Sequence, residues 1–196
     1  MKYKIVEIFE SMQGEGRNSG KRFVFIRFAG CNLKCEWCDT DISPRFELSA
    51  VQILEELRQY NIRRVILTGG EPTVQTGIEE LVALLKKEGY YIAVETNGTN
   101  EPGWFGFVDY IACSPKCEYP GRIAINIADE VRVVASAGNV VAFCREVHRK
   151  ISAKDYYVSP CERDGKMDFA AAKEALDRLG GEWGLSVQLH KLLGFR

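Results

Sequence analysis

Short apolar segments typical of buried β-strands alternate along this chain with segments that have the periodicity of amphipathic helices. Several of the strand-like segments are continuous runs rich in Val and Ile, as in strands that are buried on both faces. The alternation predicts parallel strands joined by right-handed helical crossovers. Strands are predicted at Tyr3–Phe9, Arg22–Phe28, Arg64–Leu67, Tyr91–Val94, Tyr110–Ala112, Glu130–Val134, Tyr156–Val158 and Leu185–Gln188.

Four segments between these strands predict helices. Ser49 and Gln52 have the spacing of a capping box, and apolar residues recur on one helical face as far as Leu57. A similar pattern begins at Ile78, and Gly89 is the residue type that commonly ends a helix. Later helices are predicted near Asn139–Arg149 and Asp168–Leu179.

The chain length limits the architecture that these elements can build. A closed eight-fold barrel typically needs about 250 residues, whereas this chain has 196. It has room for about five or six strands of this kind. We therefore expect an α/β fold, a shortened and open TIM-like barrel of mostly parallel strands with outer helices, in a single domain over residues 1–196.

Composition and charge point to a cytoplasmic enzyme. The net charge is −1, so no global field favours nucleic acid or a membrane surface. No apolar run approaches the length of a membrane span, and the first residues lack the apolar core of a signal peptide. Without an export signal, seven cysteines indicate intracellular thiol or metal chemistry rather than disulfides.

Polar and small residues cluster directly after the predicted strands. These clusters are Gly30–Thr40, Thr68–Pro72, Glu95–Gly98, Ser114–Lys116 and Ser159–Pro160. Any one of them alone is an ordinary strand-end turn. Because parallel strands end on the same rim, the clusters together predict a functional site at the carboxyl ends of the strands.

Cys31, Cys35 and Cys38 form the most specific of these clusters. Iron–sulfur clusters usually take four thiolates, so three close cysteines would leave one iron open to a substrate or cofactor. A structural zinc site would need four closed ligands. His148 and His190 do not supply a second pair at zinc-finger spacing, although zinc and free thiols stay open as alternatives.

The Cys-x3-Cys-x2-Cys spacing resembles that of radical S-adenosylmethionine (SAM) enzymes. Thr68–Pro72 resembles the Gly-Gly-Glu segment of that superfamily, which implies that Glu71 contacts the methionine amine of SAM. From chemistry alone, a turn with a solvated Glu is an equal alternative. Trp37, between two cysteines, could cover the cluster, flank an adenine or simply pack.

Further motifs resemble one family within this superfamily, the 7-carboxy-7-deazaguanine synthases. They are Gln13–Gly16, Phe25–Arg27, Trp37–Thr40, Thr68–Pro72, Glu95–Thr99, Ser114–Lys116 and Ser186–Lys191. The resemblance implies conversion of 6-carboxy-5,6,7,8-tetrahydropterin to 7-carboxy-7-deazaguanine with loss of ammonia, in the pathway to queuosine. It also implies a shortened barrel, a homodimer, and an electron donor such as flavodoxin or ferredoxin.

The same resemblance implies roles for individual residues. Cys31, Cys35 and Cys38 would hold a [4Fe-4S] cluster, and Thr40 would contact Mg2+. The SAM site would comprise Trp37, Cys38, Asp39, Gly70, Glu71, Ser114, Pro115 and Lys116, together with Ser159, Pro160, Cys161 and Glu162. The pterin would be bound by Met12, Gln13, Gly14, Arg27, Thr68, His190 and Arg196.

Chemistry by itself supports the substrate site less strongly. The planar fork of Arg27 suits a pterin carboxylate, but an Arg in a strand is more often a surface or ion-pair residue. His190 could bind a pterin or be an ordinary surface histidine. Cys113 and Cys117 could belong to an auxiliary cluster, although buried spectator thiols are the default for these two and for Cys144 and Cys161.

Two other functions fit parts of the pattern. A glycyl-radical-enzyme activase would use the same cysteine spacing but take hydrogen from a partner protein. An iron–sulfur or zinc binding module would cleave no SAM and would leave the other strand-end motifs unexplained. A product assay with the pterin separates the synthase from the activase, which would release no deazapurine.

Overall fold

Nine strands form one sheet in the computed structural model, which describes residues 1–194. The strands of this sheet are β1 (Lys2–Met12), β2 (Arg22–Phe28), β3 (Phe46–Ser49), β4 (Arg64–Gly69), β5 (Tyr91–Thr96), β6 (Tyr110–Cys113), β7 (Glu130–Ala135), β8 (Asp155–Pro160) and β11 (Trp183–Leu185). A separate hairpin pairs β9 (Glu162–Arg163) with β10 (Lys166–Met167). The α-helices are α1 (Ala50–Leu57), α2 (Ile78–Lys87), α3 (Val140–Lys150), α4 (Phe169–Leu179) and α5 (Leu189–Leu193).

The sheet is mostly parallel and open. Its order is β11-β8-β7-β6-β5-β4-β2-β1-β3. Every pairing from β11 to β2 is parallel, whereas β1 is antiparallel to both β2 and β3. Within residues 1–194, the edge strands β3 and β11 do not pair with each other, which confirms the prediction of an open barrel of mostly parallel strands with helices between them. No helix in this part of the chain is both long and apolar enough to cross a bilayer.

Most predicted elements lie within a few residues of the observed ones, but the last strand differs. The strand predicted at Leu185–Gln188 is wrong, because β11 ends at Leu185. The N–H of the next residue, Ser186, still donates to the Val158 carbonyl of β8, but its hydroxyl accepts from the N–H of Gly16 in the loop after β1. Helix α5 then begins at Leu189. The sequence pattern also missed the short strand β3.

Local signals and burial explain the helices that pack on the sheet. The capping box before α1 is present, with both the Ser49 and Gln52 side chains bonded to the backbone. Gly89 follows α2 with a φ of 77°, a left-handed conformation that favours glycine. The apolar faces of α1 to α4 cover one side of the sheet and form the main core.

A smaller apolar cluster fills the other side, inside the partial barrel. It contains Phe23, Ile66, Ala93, Tyr110 and Ala112. Residues two positions further along a strand lie on the same face of the sheet. Thr68, two residues after Ile66, and Glu95, two residues after Ala93, therefore lie on this inner face, nearer the carboxyl ends of their strands. The inner face thus changes from apolar to polar towards those ends.

The loops after β2 and β4 approach each other very closely. The N–H of Gly70 donates to the Phe28 carbonyl at 3.1 Å, and the N–H of Glu71 donates to the Gly30 carbonyl at 3.0 Å. A Cβ atom on Gly70 would lie only 1.8 Å from the oxygen of Gly30. Glycine at position 70 therefore allows the cysteine loop to lie directly against the end of β4.

We predict that Gly70→Ala lowers the free energy of unfolding by about 1–3 kcal/mol, because the added methyl group overpacks a backbone contact. Chemical denaturation of the protein as purified measures this change. Gly121→Ala is the matched control, since a Cβ there meets no atom within 4 Å. Equal stability of the two variants would contradict the importance of the close approach.

Candidate active site

A cavity of about 660 Å³ opens at the carboxyl ends of the parallel strands. It brings together most of the residues that the sequence predicts for the site. Those that line it are Met12, Gln13, Gly14, Arg27, Cys31, Cys35, Trp37, Cys38, Asp39, Thr40, Thr68, Gly70, Ser114, Lys116 and His190. The predicted cofactor and substrate residues thus share one cavity.

Some predicted residues lie outside the walls of this cavity. Pro115, Ser159 and Pro160 are buried, and Cys161 lines a separate cavity of about 540 Å³ beside α3 and α4. Glu162 reaches the rim, where its carboxylate lies 2.6 Å from Nζ of Lys191. Arg196 lies outside the described residues, so its role stays a prediction.

Glu71 also lies outside the cavity walls. It is 0% exposed, and its carboxylate accepts four hydrogen bonds, from the N–H and hydroxyl of Thr73, the hydroxyl of Thr96 and the N–H of Asn97. A buried carboxylate needs such donors. In this structure Glu71 therefore ties the end of β4 to the end of β5, and its contact with SAM stays a prediction.

The cysteine loop brings all three predicted cluster ligands to the cavity. Cys31 and Cys35 are half-buried and Cys38 is exposed, and the loop turns through a hydrogen bond from the Cys38 N–H to the Cys35 carbonyl. A cubane cluster takes one thiolate per iron, so these three cysteines would bind three of its four irons.

Burial disfavours the charged thiolate form of two cysteines in this loop. Burial raises the pKa of Cys31 and of Cys35, and the ammonium of Lys116 acts in the opposite direction on both. Free thiols here would be mostly protonated, and a metal would displace those protons.

The remaining cysteines are buried. Cys113, Cys117, Cys144 and Cys161 are at most 3% exposed, and none of them lines the larger cavity. Burial raises the pKa of Cys113, and it raises the pKa of Cys117 and of Cys144 to about 12. Apolar, protonated thiols of this kind are inert, and they fit the default expectation of spectator cysteines better than an auxiliary cluster.

Trp37 fastens the cysteine loop to the connection after β6. Its indole N–H donates to Glu118 at 2.8 Å, and Nζ of Lys116 lies 5.1 Å from its ring centroid. Nearby, the Tyr119 hydroxyl donates to the Lys34 carbonyl at 2.8 Å. These contacts give Trp37 a packing role while its side chain still lines the cavity.

The C-terminal segment interlocks with the loop after β1. The Leu189 N–H donates to the Gly14 carbonyl at 3.0 Å, and the amide of Gln188 donates to Glu15 at 2.9 Å. A Cβ on Gly14 would lie 2.2 Å from Nδ1 of His190. Glycine at position 14 therefore lets the His190 ring pack against the backbone and form part of the cavity wall.

Arg27 is an ion-pair residue that also lines the cavity. Its Nε lies 2.8 Å from a carboxylate oxygen of Glu7, and its guanidinium lies 5.7 Å from the ring centroid of Phe9. A guanidinium has five N–H donors. A substrate carboxylate bound here would therefore share the guanidinium with Glu7.

Sequence reasoning missed several charged or amide side chains in the cavity wall, among them Glu15, Glu95, Arg132, Gln188 and Lys191. Glu15, Glu95 and the last two lie inside motifs that were quoted for the family resemblance, which was a usable signal. Arg132 lies within a Val-rich strand and carries no local signal. Lys191 contacts both Asp39 and Glu162 and thereby joins two segments predicted to bind SAM.

Comparisons with known proteins agree with this geometry. Residues 25–108 match the sequence model of the radical SAM superfamily. The chain is 46% identical to 7-carboxy-7-deazaguanine synthase of Neisseria meningitidis serogroup B, over 98% of this chain and 93% of that protein. It is 45% identical to the protein of the same name from Haemophilus influenzae, with the same coverage. The crystal structure of QueE from Escherichia coli has a similar fold, with a TM-score of 0.75, 24% identity, and coverage of 97% and 95%.

We predict that His190 is neutral at pH 7. Burial lowers its pKa below the usual 6.5, although Glu15 opposes this shift. The unfolded chain then binds the proton more readily, so stability falls as the pH drops below about 6.5. An NMR titration of the imidazole signals measures the pKa. The chain has two histidines, so His148→Gln assigns them, and a His190 midpoint at or above 6.5 would contradict the prediction.

Proposed function

This chain belongs to the 7-carboxy-7-deazaguanine synthase family of radical SAM enzymes, and we propose that it converts 6-carboxy-5,6,7,8-tetrahydropterin to 7-carboxy-7-deazaguanine with loss of ammonia. One observation carries the proposal: the cysteine loop lines the same cavity as Gln13, Arg27 and His190. Residues from both ends of the chain that are proposed to bind the cofactor and the substrate thus converge.

The family uses a [4Fe-4S] cluster and SAM. When bound, this pair supplies a 5′-deoxyadenosyl radical that takes a hydrogen atom from a substrate carbon. In our proposal Cys31, Cys35 and Cys38 hold the cluster. The proposed SAM site comprises Trp37, Cys38, Asp39, Gly70, Ser114 and Lys116, which line the cavity, together with Glu71, Pro115, Ser159, Pro160, Cys161 and Glu162, which lie outside its walls.

The substrate side of the cavity has features that suit a flat, charged heterocycle. Phe9 and Phe25 line it and stack on each other, with ring centroids 5.2 Å apart. Arg27 offers its cation beside this aromatic wall to the pterin carboxylate. Met12, Gln13, Gly14, Thr68 and His190 complete the proposed pterin site, with Arg196 as its predicted C-terminal member.

We propose that Mg2+ binds at Thr40. The Thr40 hydroxyl lines the cavity and lies 3.4 Å from a carboxylate oxygen of Asp39. Mg2+ usually keeps several waters and takes only one or two protein ligands beside substrate oxygens. The ion would therefore bind well only together with the pterin, whose orientation it would fix.

The proposal extends to assembly and location. It includes one radical SAM domain over residues 1–196, a homodimer, a flavodoxin- or ferredoxin-type electron donor, and work in the cytoplasm. Cysteine ligands of a cluster must stay reduced, as thiols do in the cytosol.

We predict that replacing Cys31, Cys35 or Cys38 by Ala abolishes cluster uptake, SAM cleavage and product formation. Anaerobic reconstitution followed by iron analysis and a product assay with the pterin measures all three. Cys144→Ala is the control, because this buried residue of α3 lies outside the cavity. Equal loss of cluster in Cys144→Ala would contradict the assignment, and a reconstituted wild type that cleaves SAM but makes no deazapurine from the pterin would refute the proposed reaction.

We predict that Thr40→Val leaves cluster content and SAM affinity within about twofold of wild type but weakens the stimulation of product formation by Mg2+. Valine keeps the shape of threonine and removes its oxygen ligand. A magnesium titration of the initial rate measures the effect. Thr76→Val, at an exposed position away from the cavity, controls for loss of a hydroxyl, and unchanged magnesium dependence in Thr40→Val would refute the site.

A further inference from the structure

One residue of the cavity wall is a buried arginine. Arg132, on β7, is 4% exposed. Its Nη1 lies 2.9 Å from a carboxylate oxygen of Glu15, and its Nη2 donates to Glu95. Its Nε lies 3.1 Å from Glu130, but it is not aligned for a hydrogen bond. One cation thus serves three carboxylates from separate segments of the chain.

Two of these carboxylates hold the side-chain amides that line the cavity. The free oxygen of Glu95 accepts from the amide of Gln13 at 2.7 Å, and that of Glu15 accepts from the amide of Gln188 at 2.9 Å. The carbonyl oxygen of the Gln13 side chain in turn accepts from the N–H of Glu15 at 3.1 Å. Arg132 therefore stands behind both amides without being their direct partner.

The third carboxylate fixes Arg132 from below. Glu130 is 1% exposed and accepts from the Tyr110 hydroxyl and the Arg17 N–H, each at 2.8 Å. A Cβ on Gly16 would lie 2.2 Å from its carboxylate. The loop after β1 therefore packs directly on Glu130. This contact fixes the position of Gln13 and Glu15 relative to Arg132.

We propose that Arg132 is a positioning residue for the pterin: its guanidinium orients Glu15 and Glu95 and, through them, the amides of Gln188 and Gln13 that face the substrate. Only a guanidinium can do this, because its donors point in fixed directions, whereas a lysine ammonium is a single point charge. The identity of the substrate rests on the function proposed above. The role of Arg132 rests on the ion pairs themselves.

The cofactor side should not depend on Arg132. None of its three ion-pair partners belongs to the cysteine loop or to the segments after β4 and β6. Loss of its fork should therefore weaken pterin binding selectively. A merely structural role would instead lower pterin binding and cofactor chemistry together.

The test compares reconstituted Arg132→Lys with wild type. We expect pterin KM, and pterin Kd from calorimetry in the presence of SAM, to rise at least tenfold. Cluster content and SAM cleavage without pterin should stay within twofold. Arg145→Lys is the matched control. Arg145 is an exposed residue of α3, and its guanidinium donates to the carbonyl of Arg178, away from the cavity. A Kd change below twofold, or an equal loss of pterin-free SAM cleavage, would overturn the inference.

Glu15→Gln provides a second measurement if Arg132→Lys folds poorly. It keeps the side-chain shape but removes the charge that Arg132 orients, so we expect weaker pterin binding with SAM cleavage retained. In Arg132→Lys/Glu15→Gln the loss should be smaller than the product of the two single losses, because both act through one contact. Fully multiplicative losses, or wild-type binding in Glu15→Gln, would overturn the inference. A wild type that forms no product would instead refute the proposed function.

Discussion

The parallel direction of the strands from β2 to β11 is the constraint on which the site depends, because it carries every strand-end loop to the same rim. The pairing of β2 with β4 shows this most directly. Phe28 pairs with Gly69 at the ends of the two strands, and the two chain segments then continue side by side. The hydrogen bonds from Gly70 and Glu71 extend that pairing into the cysteine loop. Because Gly70 has no side chain, the backbone of the loop that would hold the cluster packs directly against the end of β4.

Two separate groups of ion pairs border the cavity, one around Arg132 and one around Lys191, and the C-terminal segment contacts both. On the substrate side, Gln188 bonds to Glu15, which pairs with Arg132. On the cofactor side, Lys191 contacts Asp39 and Glu162. Removing one partner of a buried ion pair typically costs about 3–5 kcal/mol of stability. We therefore expect the pairs of Arg132 to hold Glu15 and Glu95 firmly in place. The pairs of Lys191 are more exposed, and they contribute less to stability than to the alignment of the segments.

Periodicity predicted the architecture well because each signal is local. The helices of the alternating pattern, their capping box and the strand positions up to β8 follow from neighbouring residues, and the structure has them within a few residues. The strand predicted at Leu185–Gln188 was wrong, because β11 ends at Leu185 and the following residue, Ser186, bonds to Gly16, 170 positions away in the sequence. The short strand β3 was missed because its own composition does not predict a strand, and its extended structure depends on its pairing with β1.

The sequence by itself was enough to indicate the family, since three cysteines at fixed spacing occur together with a set of strand-end motifs, and the family implies a cluster and SAM. Tertiary structure decided which side chains face the cavity. It buried Glu71 under four hydrogen bonds at the end of its strand, and it placed Arg132 against Glu15, 117 positions away. The physical reason is that a motif constrains atoms within a few residues of each other, whereas an ion pair inside a barrel exists only after separate strands have come together and excluded water.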